Sequence, residues 1–223
     1  DVVLQFEGDR YGGFKMVRAI KNRYGSTAEL AIMEMLDSGL VPVDNPSASL
    51  LAERSLVDGS IILATMEGNR SLLVEIQALV NTTSFGYPKR TASGFDLNRL
   101  NLLVAVLEKR TKLTLSDKDI FVNVVGGLKL RDPAADLAVC MAIASAAAGR
   151  AMDQHAVVYG EVGLGGEIRS SVGSSKRIAE ARKLGFTYAV APATQPADTF
   201  IRPARDLRTV LQTYLTRTTK EAS

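Results

Sequence analysis

The chain has 223 residues, of which 46% are hydrophobic and 23% are charged, an ordinary globular composition with enough apolar material for one large domain or two smaller ones. It has no run of the roughly 18 apolar residues that a membrane-spanning helix needs, and no basic-then-apolar leader is visible. Its single cysteine, Cys140, excludes an internal disulfide and fits a reducing cytoplasm, and its net charge of +3 permits a nucleic-acid partner without requiring one.

The first part of the chain is predicted to combine short strands with short helices. It opens directly on VVLQF, an apolar run typical of a strand, which we expect of a fragment from a larger protein. FKMVRAIKN carries Phe14, Val17 and Ile20 three residues apart, a spacing that predicts a short helix or turn. ELAIMEML is ambiguous between strand and helix, and Ser47 is placed to cap a helix over ASLLAER.

From residue 60 the sequence predicts strands alternating with helices. Two apolar runs joined by the turn EGNR predict a hairpin, and TTSFGYPKRTASGF predicts a polar loop. Asp96 is suited to cap the next helix, and Lys109 and Arg110 lie in its last turn, where the helix dipole favours cations. DIFVNVVGGLKL then predicts a strand that ends in two glycines.

The remaining segments continue this alternation. The helix in DPAADLAVCMAIASAAAGR has Asp132 as its expected N-cap, Pro133 at its first position and Gly149 as its stop. HAVVYGEVGLGGEIRSSVG predicts two strands around a glycine-rich turn; a helix, a buried strand and a final amphipathic helix follow in SSKRIAEARKLGF, TYAVAP and DLRTVLQTYLTR. The pattern predicts a layered α/β structure with a domain boundary near residues 55–60.

Two cations at the end of an apolar stretch require an explanation. In AIKNRYGSTAEL, Lys21 and Arg23 are separated by one residue, so in an extended strand both side chains point to the same side. Adjacent cations repel unless an anion lies between them. Either this is a solvated surface pair, or it awaits a phosphate, which another subunit could hold.

Other catalytic signatures are weak or absent in the sequence. No GxxxxGK[ST] phosphate-binding loop occurs, and the glycines of GLGGE are better explained by a hairpin turn than by a nucleotide fingerprint. His155, the only histidine, has no partner signature for a Ser-His-Asp arrangement and is expected at the surface or a strand edge.

A basic stretch covers residues 86–112. It holds six cations against Asp96 and Glu108, a local charge of +4; the cations are Lys89, Arg90, Arg99, Lys109, Arg110 and Lys112. Either the stretch contacts nucleic-acid phosphates, or it is a solvated helix face.

Several separated motifs carry a family resemblance. AIKNRYGSTAELAIMEM resembles the KNRFG motif of the bacterial RadA/Sms proteins, with Tyr24 in place of the usual phenylalanine. SGFDLNRLNLLVAVLEKR, DIFVNVVGGLKLRDPAADLAV and YGEVGLGGEIRSSV resemble the Lon-protease-like domain of the same family. The resemblance runs almost from end to end, and the motifs occur in the family's order.

The resemblance implies an α/β fold in two parts. Residues 1–57 would be the C-terminal portion of a RecA-like ATPase domain, and residues 58–223 a two-layer Lon-protease-like domain (ribosomal protein S5 domain 2-like). It also implies an ATP-dependent DNA helicase or branch-migration factor of recombination and repair. The partners would be single- and double-stranded DNA, recombination intermediates, a recombinase filament and five further copies in a hexamer. No membrane is implied, and the setting would be cytoplasmic.

The resemblance also assigns roles to residues. Lys21 and Arg23 would act on ATP bound by the neighbouring protomer, supported by Asn22, Tyr24 and Gly25. ATP and Mg²⁺ would be bound mainly by residues outside this chain. The Lon-like domain would contact DNA, for which the candidates are Lys89, Arg90, Arg99, Lys109 and Arg110. The family's zinc finger lies outside this chain, which also lacks the phosphate-binding loop and is expected to be inactive alone.

Lon proteases suggest a rival function, a Ser/Lys peptidase. In the matching stretch KLRDPAADLA, Ala134 stands at the nucleophile position and has no oxygen with which to attack. The lysine position falls near Ser175, with Lys176 one residue away. We therefore expect no peptidase activity; a stand-alone DNA-binding module is the other alternative.

Overall fold

A computed structural model describes residues 1–8, 14–84, 86–193 and 198–215. In chain order, the first elements are β1 (Val2–Glu7), β2 (Phe14–Asn22), β3 (Leu30–Leu36), β4 (Gly39–Pro42) and α1 (Pro46–Leu51). Next come β5 (Ser60–Glu67), β6 (Arg70–Thr82), β7 (Arg90–Ser93), α2 (Leu97–Arg110), β8 (Lys118–Val124) and α3 (Ala135–Ala148). The last are β9 (Ala156–Val158), β10 (Glu161–Val162), β11 (Ile168–Arg169), α4 (Ser174–Lys183), β12 (Tyr188–Pro192), β13 (Ile201–Ala204) and α5 (Leu207–Tyr214).

The first four strands form an antiparallel sheet in the order β1-β2-β3-β4. The helix predicted over residues 14–22 is wrong, because this segment is the strand β2, paired with β1 on one side and β3 on the other. The threefold spacing of apolar residues there is outweighed by hydrogen bonds to both neighbouring strands, which the sequence of β2 alone does not reveal. The ambiguous segment ELAIMEML is likewise a strand, β3.

The two faces of this sheet have different surroundings. Met16 and Ile32 lie opposite each other in the register and are buried against the rest of the chain. The other face carries Leu4 and Phe6, which are 55% and 62% exposed, and the pair Met35 and Leu40, which is also exposed. An apolar sheet face of this kind is therefore uncovered in the described part of the chain.

Helix α1 begins at Pro46, two residues earlier than it would if Ser47 were its N-cap. Asn45 is the N-cap, and its side chain accepts a hydrogen bond from the backbone of Ala48. The Ser47 hydroxyl is buried instead, where it accepts from the backbone of Leu73 at 3.1 Å and donates to Glu180 at 2.7 Å. Ser47 thereby joins α1 to β6 and α4.

The second sheet has seven strands in the order β13-β12-β9-β5-β6-β8-β7. The pairs β5–β6 and β6–β8 are antiparallel, and the remaining pairs are parallel. Helix α3 packs on β5 and β6 and is buried from Ala135 to Ser145. Its many alanines have small side chains, which let the helix pack closely against the sheet. Strands β10 and β11 form a separate small hairpin. This arrangement confirms the predicted α/β fold class.

Several local predictions are confirmed and others need correction. The hairpin β5–β6, the cap at Asp96 and the left-handed stop at Gly149 are present as predicted. Asp132 is not the N-cap of α3, which begins at Ala135, and the loop predicted before Asp96 contains the short strand β7. Among the described residues, every helix is too short or too polar to traverse a lipid bilayer.

Candidate functional site

The KNRYG segment is a hydrogen-bonded turn at the end of β2. Asn22 holds the turn, because its side-chain oxygen accepts from the backbone of Tyr24 at 3.0 Å and its amide donates to the Ser26 carbonyl at 3.3 Å. The backbone of Arg23 donates to the Asp1 carbonyl at 3.2 Å, which fixes the turn against the start of β1. The local structure is therefore set by Asn22 and by backbone contacts, and the side chains of Lys21 and Arg23 take no part in it.

The two cations of this turn are exposed and have no side-chain partner among the described residues. Lys21 is still within β2, whereas Arg23 lies just beyond the strand, so strand alternation orients only Lys21. Tyr24 is 84% exposed next to them. Two uncompensated positive charges on a fixed turn can receive an anion such as a phosphate group.

An ion pair ties this strand to the second sheet. Arg18 of β2 donates to the carboxylate of Glu67, at the end of β5, at 2.8 Å, and both side chains are largely buried. Burial raises the pKa of Glu67, and the hydrogen bond from Arg18 offsets part of that rise. The backbone of Asn69 also donates to the Ala28 carbonyl at 2.9 Å. The turn that bears Lys21 is thus positioned relative to the β5–β6 hairpin.

The five predicted DNA-contacting cations are not equivalent in the structure. Arg99 forks onto the buried carboxylate of Asp136, a hydrogen bond that raises the pKa of Arg99, and it also donates to the Val162 carbonyl. Arg90 donates to the carbonyls of Lys118 and Leu115. Both guanidinium groups are therefore used to hold the fold together.

The other three candidates are exposed. Lys109 has no side-chain partner among the described residues, and Arg110 donates to the Leu164 carbonyl at 3.1 Å. The backbone of Lys89 donates to Asp119, and Lys89 directly precedes β7, whereas Lys109 lies in the last turn of α2. The five candidates therefore do not form a single cluster of cations, because Arg90 and Arg99 are engaged within the fold.

The region that resembles a peptidase centre holds a buried ion pair. Ala134 is almost completely buried, Ser175 is exposed, and the amine of Lys176 donates to the Asn69 carbonyl at the surface. The next residue, Arg177, is fully buried and lies 2.7 Å from the carboxylate of Asp132. Where a Ser/Lys peptidase needs a serine hydroxyl and a lysine amine, this region holds the Ala134 methyl group and an arginine and an aspartate that are paired with each other.

The contacts of this pair are extensive. Arg177 also donates to the carbonyls of Ala64 and Val172, and its guanidinium lies 5.2 Å from the centre of the Tyr159 ring. Ser175 and Lys176 are the residues predicted at this position from the resemblance, and Arg177 is not among them. The available signal was that Arg177 shares the inward helix face with Ala181, four residues later.

Asp132 connects this pair to the neighbouring backbone. One carboxylate oxygen accepts from the backbone of Ala134 at 3.0 Å, and the other accepts from the backbone of Met66 at 2.8 Å. Burial alone would raise the pKa of Asp132, but the hydrogen bond and charge of Arg177, together with these backbone donors, lower it below its usual value. The carboxylate is therefore stabilised in its charged form.

This lowered pKa predicts the sign of a pH effect. The folded chain binds a proton on Asp132 less tightly than the unfolded chain, so the stabilisation is present above the usual pKa and is lost as the pH falls through the lowered one. In urea unfolding, we expect the stability difference between the native chain and Asp132→Asn to shrink below about pH 4. A difference that stays constant through the acid range would contradict this assignment.

The chain is similar to curated DNA repair proteins over most of its length. Residues 79–195 match the family model described as subunit ChlI of Mg-chelatase. The chain is 49% identical over 193 residues to the DNA repair protein RadA of Halalkalibacterium halodurans and 50% identical over 194 residues to that of Bacillus subtilis. It is 45% identical over 192 residues to the RadA of Aquifex aeolicus. These matches cover 86% of the chain but only 42–43% of the relatives, so the chain spans less than half their length.

Proposed function

Because the chain belongs to the RadA family of DNA repair proteins, we propose that it is the C-terminal part of a DNA-dependent ATPase and helicase acting on recombination intermediates. The observation that carries this proposal is the KNRYG turn. It presents Lys21 and Arg23 without partners among the described residues, on a loop held by Asn22. In a closed hexameric ring, these cations meet ATP held by the neighbouring protomer.

The proposed division into domains is residues 1–57 and 58–223. The exposed apolar face of the four-stranded sheet, with Leu4, Phe6, Met35 and Leu40, supports the first part of this division. Such a face is covered when the sheet belongs to a larger domain. A sheet at the end of a RecA-like ATPase core would be covered by the rest of that core. The seven-stranded sheet with its helices is the proposed Lon-like scaffold.

The cofactors of the proposed reaction are ATP and Mg²⁺, bound mainly by residues outside this chain. Mg²⁺ supplies charge neutralisation at the phosphates, and this chain supplies Lys21 and Arg23, which stabilise the negative charge that develops on the transferred phosphoryl group. The described residues contain no group of three or more His, Cys, Asp or Glu side chains that could hold a metal. We assign the family's zinc to the part of the protein outside this chain.

For DNA contact, we propose Lys89, Lys109 and Arg110 rather than Arg90 and Arg99. The first three side chains are exposed, and Arg110 engages a carbonyl through its Nε alone. Arg90 and Arg99 are half-buried, and their guanidinium groups each make two or more hydrogen bonds to carbonyls or to Asp136. A lysine or arginine that binds a phosphate releases counterions, so each lost contact lowers the salt dependence of binding.

Lys109→Gln is expected to weaken DNA binding and to lower the slope of log K against log salt by about 1. Lys183→Gln is the matched control, since both lysines are exposed, lie in the last turn of a helix and lack side-chain partners among the described residues. Both variants remove one positive charge, and fluorescence anisotropy with labelled single- and double-stranded DNA compares them. Equal losses would indicate an effect of net charge alone and would contradict the proposed surface.

A further inference from the structure

A small cavity lies where the ends of three helices meet. It has a volume of about 190 Å³, and its lining comes from the segment after α2, from the last turns of α3 with the segment that follows, and from α5. Its apolar wall is aliphatic and is formed by Leu113, Ala144, Ala148, Leu211 and Leu215. Its remaining described lining residues are polar or basic, and none of the lining residues within the described part of the chain carries a carboxylate.

Three cations surround this aliphatic wall, namely Lys112, Arg150 and Arg208. Arg208 is held in place, because its Nε donates to the Arg110 carbonyl at 3.1 Å. Lys112 and Arg150 have no side-chain partner among the described residues. Three like charges close together repel one another, so an anionic ligand would relieve an unfavourable arrangement.

Cations often bind the free carbonyls at the C-terminal end of a helix, but two of the carbonyls at the ends of α2 and α3 beside this cavity already have other partners. The carbonyl of Leu107 in the last turn of α2 already accepts from the backbone and the hydroxyl of Thr111. At the end of α3, the carbonyl of Ser145 accepts from the backbone of Arg150. Because these carbonyls have partners, the side chains of Lys112 and Arg150 are available to a ligand.

The chemistry of the wall distinguishes between two classes of anionic partner. Proteins that hold nucleic-acid bases in a pocket generally stack them on aromatic rings, and none of the described residues that line this cavity is aromatic. An aliphatic wall suits a single apolar side chain, and a basic rim suits aspartate and glutamate beside it. Thr111 and Gln212, which also line the cavity, can hydrogen-bond to a peptide backbone.

We propose that this cavity docks an acidic peptide segment of a partner protein, with one large apolar residue of the peptide inserted between α3 and α5. Lys112, Arg150 and Arg208 pair with the carboxylates on either side of that residue. The site differs from the KNRYG turn and from the proposed DNA contacts at Lys89 and Lys109. It adjoins the third proposed contact, Arg110, whose backbone carbonyl holds Arg208, but the Arg110 side chain does not line the cavity.

The test uses the purified chain and a short fluorescein-labelled peptide of aspartates that contains one phenylalanine. We expect saturable binding, and an about tenfold loss for Lys112→Gln or Arg208→Gln, as one rim contact of about 1.4 kcal/mol would give. Lys183→Gln, which removes the same charge elsewhere, should bind like the native chain. The same peptide with alanine in place of phenylalanine should bind about tenfold more weakly or worse, because the aliphatic wall then has nothing to hold.

Three outcomes would overturn the proposal. The first is no binding of the peptide, and the second is equal binding by the native chain and both rim variants. The third is that the rim variants lose affinity for an oligothymidine while peptide binding is unchanged, which would assign the cavity to nucleic acid. Lys112 and Arg208 are exposed, so both substitutions should leave the thermal unfolding midpoint unchanged, which circular dichroism verifies.

Discussion

Replacing Lys21 or Arg23 by alanine in the intact protein is expected to lower DNA-stimulated ATP turnover by about a thousandfold while leaving ATP binding largely intact. In the proposed role, a cation supplied by the neighbouring protomer stabilises charge that develops only in the transition state, so its loss would lower kcat and not nucleotide affinity. Steady-state turnover and binding of a fluorescent ATP analogue measure the two effects separately. Neither side chain holds the turn together, since Asn22 and backbone contacts do so.

A control within the same motif separates this role from general damage. Tyr24→Phe restores the residue usual in the family, and we expect near-normal turnover, because the Tyr24 side chain is exposed and only its backbone is held by Asn22. Mass measurement of each variant in solution shows whether the ring still assembles. Normal turnover in both alanine variants, with rings intact, would refute the trans-acting role of the motif.

Replacing Arg177 by methionine is expected to destabilise the chain by about 3–5 kcal/mol. The substitution leaves the carboxylate of Asp132 buried without its cation, and an uncompensated buried charge is much more costly than a lost surface pair. Urea unfolding of the chain at neutral pH, followed by circular dichroism, measures the free energy of unfolding. The double variant Asp132→Asn with Arg177→Met should recover part of the loss, because the buried charge is then gone.

The matched control for this prediction is the exposed pair Arg182–Asp198. Its N–O distance is also 2.7 Å, but Arg182 is 51% exposed, so water screens the interaction. We expect Arg182→Met to cost about 0–1 kcal/mol. If Arg177→Met and Arg182→Met cost the same, burial would not be what makes the first pair important, and the peptidase-like region would have no special role in stability.

Helix caps, tight turns and helix stops can be predicted from this sequence, whereas strand pairing cannot. The cap at Asp96, the turn between β5 and β6 and the stop at Gly149 depend on residues a few positions apart, and all three are predicted correctly. Strand β2 is predicted wrongly, because its conformation depends on pairing with β1 and β3 on either side. The N-cap assigned to Asp132 is wrong because Arg177, distant in sequence, and the backbone of Met66 engage its carboxylate.

The candidate sites divide in the same way. The sequence by itself determined the family, the KNRYG motif and the lack of a nucleophile at Ala134, because each of these is written in consecutive residues. Only the tertiary structure decided that Arg99 is bound to Asp136 and that Lys112, Arg150 and Arg208 surround one cavity. The physical reason is that charge–charge energies and burial depend on distance in space, and the chain brings those residues together only when its sheets and helices pack.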